Sequence, residues 1–171
     1  MNDYLFHLIH QLAGQSIWLD QIMILFSKWG FIAMIIFTIG LTVTRKWRKV
    51  GVIGIVALGV SLVVNRVLKI VFNQPRPFME HDIEILIARS PSPSFPSDQA
   101  VICGVIVALC FMLGRKTGTI AFVIGSLIAI SRVFVGHHYP FDIVVGFILG
   151  SFFTLVIRQG MEHKMDKTMN F

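Results

Sequence analysis

The sequence predicts an all-α membrane protein: a small bundle of about five transmembrane helices, preceded by a short amphipathic helix lying in the membrane interface. Three observations predict it. The chain is 55% hydrophobic with a mean hydropathy of +0.76, well above a soluble domain. Five apolar runs of helical length are separated by polar breaks. Basic residues crowd alternate breaks, as loops on one side of a membrane do. The net charge of +6 therefore matters through its distribution rather than its sum, and no nucleic-acid partner is expected.

Residues 1–16 hold the amphipathic helix. Tyr4, Leu5, Leu8, Ile9 and Leu12 share a face, while Asp3, His7, His10 and Gln11 fall elsewhere. His7 and His10 read as interfacial bystanders. No basic n-region or small-residue cleavage site marks a signal peptide. The transmembrane domain spans 17–158. Its first span covers about 22–43, with Trp18 and Trp29 suited to one aromatic belt and Trp47 to the other. After the basic loop at 45–49, a second span starts at 50 and is apolar through 64, then stays helical in pattern while turning polar at Asn65, Arg66 and Lys69. Charges at that depth default to functional readings. Residues 73–97 hold five of the six prolines and a serine cluster, which argues against a continuous helix. Their acidic patch, Glu80, Asp82 and Glu84, has no role assignable from sequence. The third, fourth and fifth spans cover about 98–113, 119–134 and 141–157, and 159–171 form a polar tail. Cys103 and Cys110, in one apolar run, read as small core residues.

Parity then sets sides. The ends at 45–49, 114–118 and 158–171 carry nine of the fifteen Lys and Arg against two acids, Glu162 and Asp166, so that side is expected to be cytoplasmic. The other side, facing out of the cytoplasm, receives the end of span two, the long loop, the start of span three and the junction of spans four and five.

Every polar cluster with chemical potential falls on that second side. Ser131-Arg132-Val-Phe-Val-Gly-His137-His138-Tyr-Pro-Phe-Asp142 packs an arginine, two histidines and a carboxylate into twelve residues. A helix starting near Pro140 lets Asp142 fold back on His138, fixing its tautomer and freeing the other ring nitrogen to attack. Arg132 supplies a guanidinium fork suited to phosphate. Lys69 and Arg76 add two cations, against the plainer reading that they snorkel to headgroups. Ser97 stands where the third span begins, positioned to cap the helix or to help its free N–H groups bind an anion. Together they suggest a histidine nucleophile acting on a phosphorylated substrate.

These residues resemble the type 2 phosphatidic acid phosphatase superfamily, the lipid phosphate phosphatases, whose pattern is K-x6-R-P, P-S-G-H and S-R-x5-H-x3-D. Lys69 to Arg76-Pro77 fits the first element; Ser131-Arg132, His138 and Asp142 fit the third, and the spacing selects His138 over His137. Ser-Phe-Pro-Ser-Asp at 94–98 resembles the bacterial bacitracin-resistance type of undecaprenyl-diphosphate phosphatase, in which the second element reads P-S-D-H. The resemblance implies a metal-independent reaction at the bacterial plasma membrane that recycles the lipid carrier of cell-wall synthesis. It makes His138 the nucleophile, Asp142 its orienting carboxylate, and Lys69, Arg76, Ser97 and Arg132 the phosphate-binding residues. The polyprenyl diphosphate and membrane lipid are the expected partners. Rival readings are phosphatidylglycerophosphate or phosphatidic acid phosphatase, and a non-catalytic lipid-phosphate binder. A transporter fits less well, because the spans show no inverted repeat.

One departure stands inside the motif. The family's general acid, a histidine after P-S-D, is here Gln99. Glutamine exchanges no proton near neutral pH, though it donates and accepts hydrogen bonds. Either the substitution was introduced to trap a bound species, which the intactness of the other motif residues favours, or it is natural and leaves the enzyme weakened, inactive or differently assisted. A diphosphate expels a phosphate monoester, a good leaving group, so phosphorylation of His138 needs little acid help. Release of phosphate needs an activated water, so slow turnover with accumulating phosphoenzyme is expected.

Overall fold

The computed structural model describes the backbone of residues 1–169 and the side chains of residues 1–163, so the tail charges Lys164, Asp166 and Lys167 lie outside the described side chains. The described residues are helical, with no strand among them: α1 (Asn2–His10), α2 (Ile17–Leu25), a π-helical turn (Phe26–Gly30), α3 (Phe31–Val43), α4 (Arg48–Phe72), α5 (Pro77–Glu80), α6 (Asp98–Leu113), α7 (Arg115–Phe134) and α8 (Pro140–Met169). Four stretches are long and apolar enough to cross a membrane: Ile17–Val43, Arg48–Glu80, Arg115–Phe134 and Pro140–His163.

The fifth expected span, α6, differs from the others. At 16 residues it is about 24 Å long at 1.5 Å per residue, shorter than the roughly 30 Å hydrocarbon core. It is also the centre of the molecule, packed against α3, α4, α7 and α8. All residues from Ala100 to Cys110 are buried, which is what a helix apolar on every side requires. Cys103 and Cys110 are free thiols in that core.

Helix α8 lies against α6 backbone to backbone. A Cβ added at Gly150 would come 2.1 Å from the Val101 carbonyl oxygen, and one at Gly146 would come 2.8 Å from that of Ser97. This Gly-x-x-x-Gly contact brings the start of α6 to the start of α8, where the Ser97 N–H donates to the Asp142 carbonyl at 3.1 Å. Gly150→Ala is expected to destabilise the protein by roughly 1–3 kcal/mol through overpacking and to lower its unfolding temperature in detergent. Gly59→Ala, a helical site with nothing within 4 Å of the added carbon, is the control and should be neutral or slightly stabilising.

The amphipathic helix is present as α1, with one correction. Tyr4, Leu5, Leu8 and Leu12 are exposed, as a membrane-interface face should be, but Phe6 and His10 turn inward and are buried. His10 is no bystander: its Nδ1 donates to the Phe134 carbonyl at 2.8 Å, tying α1 to the end of α7. Helix α8 continues into the polar tail as far as Met169.

Candidate active site

The site forms where α4 ends, α6 and α8 begin and α7 ends, closed by the loop 73–97. Asn73, with φ 39°, terminates α4 in the left-handed conformation that asparagine tolerates. The Ser94 N–H donates to the Gln74 carbonyl at 2.7 Å, pinning the loop back on its own start.

His138 and Asp142 meet as their spacing predicts. Asp142 lies in the first turn of α8, and its Oδ2 accepts from His138 Nδ1 at 3.2 Å, from the Tyr139 N–H at 3.0 Å and from the Ser94 hydroxyl. The other ring nitrogen, Nε2, is 3.1 Å from Arg76 Nη1. A guanidinium only donates, so Nε2 is the unprotonated nitrogen and Nδ1 carries the proton. His138 is fully enclosed; burial first, then the charges of Arg76, Arg132 and Lys69, hold it well below the ordinary imidazole value. It is therefore neutral at neutral pH, with its lone pair at Nε2, the form a nucleophile needs.

The cations are held by fixed partners. Arg76 donates from Nε to the Ser92 carbonyl and hydroxyl at 3.1 Å each, from Nη2 to the Pro93 carbonyl at 3.1 Å and from Nη1 to the His137 carbonyl at 2.8 Å. Arg132 donates from Nη1 to the Ser27 carbonyl at 3.3 Å and to the Ser27 hydroxyl, and from Nη2 to His137 Nδ1 at 2.7 Å. Lys69 Nζ is 3.0 Å from Asp98 Oδ2, while Asp98 Oδ1 accepts from Asn65 Nδ2 at 2.6 Å. His137 has its Nε2–H on the Ile87 carbonyl at 2.7 Å. Burial and the adjacent Arg132 charge push it down to about 3, so it is neutral near neutral pH, with its one ring proton held by the Ile87 carbonyl, and cannot stand in for a general acid.

Five buried polar atoms around these cations lack a partner: the donors Ser97 Oγ and Arg132 Nε, and the acceptors Gln99 Oε1, Asn65 Oδ1 and Asp142 Oδ1. Ser97 occupies the N-cap position of α6 but its side chain makes no capping hydrogen bond, which corrects the capping reading. An unpaired buried polar group costs about 1–3 kcal/mol. A phosphoryl group would satisfy the two donors, and the α6 N-terminus would add its own field. Gln99 donates from Nε2 to the Ser27 carbonyl at 3.2 Å, leaving Oε1 as a fixed acceptor. Ser27 thus serves both Gln99 and Arg132, and it does so from the π-helical turn, a distortion that often marks functional positions.

A cavity of about 220 Å³ lies in front of His138, lined by Phe31, Arg89, Asp98, Gln99, Ile102, Arg132 and His138. Of the sequence-predicted residues, His138, Gln99 and Arg132 line it directly. Asp142 holds His138 at Nδ1 and Arg76 contacts it at Nε2, and Lys69 is joined to the cavity through Asp98. Sequence reading missed Ser94, which shares Asp142 with His138, and Arg89 on the cavity wall. It also missed Ser27: a lone serine in an apolar run carries no signal. Asn65 was noted as polar, but its role in holding Asp98 was not.

Comparison with known proteins agrees with this geometry. The PAP2 superfamily pattern matches residues 50–166, a stretch that includes Lys69, Arg76, Ser97, Arg132, His138 and Asp142. The chain is 34% identical over 163 residues to undecaprenyl-diphosphatase BcrC of Bacillus subtilis (strain 168), covering 90% of this chain and 82% of that protein. Its fold is similar to the crystal structure of Aquifex aeolicus LpxE, with a TM-score of 0.81 and 26% identity over 91% of this chain and 93% of that one. It is also similar to a PAP2 type phosphatidylglycerolphosphate phosphatase from Bacillus subtilis, with a TM-score of 0.74 and 25% identity over 95% and 86% of the two chains. This multi-pass membrane protein belongs to the PAP2 superfamily, close to the bacterial BcrC-type undecaprenyl-diphosphate phosphatases.

Proposed function

We propose that this chain hydrolyses undecaprenyl diphosphate to undecaprenyl phosphate and inorganic phosphate on the outer face of the plasma membrane, through a phosphohistidine on His138. Such a reaction returns the lipid carrier to cell-wall synthesis and would confer bacitracin resistance. The observation that carries the reading is the His138 arrangement: Nδ1 held by Asp142, Nε2 presented under Arg76 and facing a cationic cavity. The similarity to BcrC supports the choice of substrate.

In the first step the Nε2 lone pair attacks the terminal phosphorus, and the bond to the bridging oxygen breaks. Lipid phosphate leaves as an anion and needs no proton. Arg76, Arg132, Lys69, Ser97 and the α6 N–H groups neutralise the equatorial oxygens, so catalysis is mainly positioning plus charge stabilisation. In the second step water attacks the phosphohistidine, the electron pair of the broken N–P bond returns to Nε2, and the water's proton stays on the released phosphate, because Gln99 cannot accept it. This chain is therefore slow in its second half. The tail has an apolar groove of about 360 Å³ available between α3 and α7, lined by Phe26, Met34, Phe37, Ile106 and Ile120 among others; Ile106 lies one helical turn from the cavity residue Ile102. The outward orientation is supported by the nine basic residues at the opposite end.

The test is phosphate release from undecaprenyl diphosphate by the detergent-solubilised chain without added metal. A slow but measurable release is expected, with label retained on His138. The likeness to the phosphatidylglycerolphosphate phosphatase favours that lipid as the second substrate to assay, and faster release from it would replace the first reading. Release from neither, in this chain and in Gln99→His, would leave a lipid-phosphate binder.

A further inference from the structure

The cations deepest in the site already hold protein partners, with Arg132 keeping only its Nε unpaired, and all of them surround the phosphoryl group that His138 would receive. Arg76 is bound to Ser92, Pro93 and His137, Arg132 to Ser27 and His137, and Lys69 to Asp98. A diphosphate brings a second phosphate, which stays on the lipid and gathers negative charge as the bridging bond breaks. Gln99 offers it no proton, and His137 is locked. A positive charge beside that phosphate would offset the build-up without a proton.

Arg89 stands where that charge is needed. It is the remaining cation on the cavity wall, facing the same space as Arg132, Gln99 and His138. It is solvent-exposed, and among the described residues it makes no side-chain hydrogen bond or ion pair. Its charge reaches the centre, being among those that hold His137 and His138 below the ordinary imidazole value. An unengaged guanidinium at the mouth of an anion site is suited to a bidentate contact with a phosphate.

We propose that Arg89 binds the lipid-proximal phosphate of a diphosphate headgroup, so that it selects diphosphates over single phosphates and stabilises the leaving group by charge in place of a proton. The proposal rests on the diphosphate reading given above. The step balances without a proton donor: Nε2 supplies the electron pair of the new N–P bond, the bridging oxygen takes the pair of the broken P–O bond, and the resulting anion lies against Arg89.

The test uses the full chain in detergent and reads equilibrium binding, so that slow turnover does not obscure it. The probes are inorganic pyrophosphate and orthophosphate, measured by calorimetry on the unaltered protein, Arg89→Ala and Arg89→Lys. Hydrogen bonds to charged groups are worth about 1.5–3 kcal/mol, which corresponds to about 10–150-fold in affinity. Arg89→Ala is expected to weaken pyrophosphate by about that factor while changing orthophosphate little, and Arg89→Lys should recover part of the loss. Equal weakening of both probes, no weakening of either, or no preference for pyrophosphate in the unaltered protein overturns the proposal. A separate assay isolates the substrate reading: if Gln99→His releases phosphate from lipid monophosphates faster than from undecaprenyl diphosphate while pyrophosphate affinity still follows Arg89, the substrate reading fails, and Arg89 keeps its contact with a second phosphate but loses its part in the reaction.

Discussion

Gln99→His is expected to raise steady-state phosphate release by about 10²–10⁴-fold, the usual contribution of a positioned acid–base group. The neighbourhood is already arranged for it. Gln99 donates to the Ser27 carbonyl at 3.2 Å, and an imidazole N–H can make the same contact while its other nitrogen faces the cavity. What the glutamine cannot do is take the proton of the attacking water. The gain should therefore appear in dephosphorylation: phosphoenzyme that accumulates in the unaltered chain should fall to a low steady level in the variant. The gain should be larger for phosphomonoesters than for diphosphates, because an alkoxide leaving group needs a proton and a phosphate does not. Rapid-quench phosphate release, with the phosphohistidine measured in parallel, separates the two halves. An unchanged steady-state rate with a well-folded variant would mean that proton transfer at position 99 does not limit this protein.

The parts of the site that were legible in the sequence are those built from short-range spacing. His138 and Asp142 are four residues apart with a helix start between them, so their hydrogen bond is nearly dictated by local geometry. Lys69 is readable because a charge near the end of an apolar span has few inexpensive explanations, and Ser97 because it precedes a helix. The helices were legible from hydropathy, but the burial of α6 on every side was not, because a helix apolar all round reads the same whether it faces lipid or other helices. What escaped were contacts closed only by the tertiary fold. Ser27 reaches Arg132 across 105 residues of chain, and His10 reaches the Phe134 carbonyl across 124. Neither side chain looks unusual in its own segment. The apolar stripe of α1 pointed His10 toward solvent, whereas the helix has two apolar faces, one exposed and one packed on the end of α7. Arg89 escaped because an arginine in a long polar loop is ordinarily a solvated charge; only the fold of the loop over His138 gives it a site to face.

Replacing the nucleophile itself is expected to have the largest effect. His138→Asn, made in the Gln99→His background so that the starting rate is high, should lower phosphate release on the order of 10⁴–10⁶-fold, as loss of a nucleophile does when the remaining groups act only through it. Orthophosphate binding should change little, because its ligands do not depend on the imidazole for their positions. Arg76 keeps its hydrogen bonds to Ser92, Pro93 and the His137 backbone, and Arg132 keeps those to Ser27 and His137. The split is diagnostic. A residue that merely shaped the pocket would take binding down with turnover, while a nucleophile removes turnover and the acid-labile phosphoryl label together. Residual activity with unaltered label would move the phosphohistidine to another site, and His137 is poorly placed for that: one of its nitrogens faces Arg132 at 2.7 Å and the other donates to Ile87. Residual activity with no label would mean direct attack by water on the lipid diphosphate, leaving the cationic cavity as the whole of the catalyst and His138 as one of its walls.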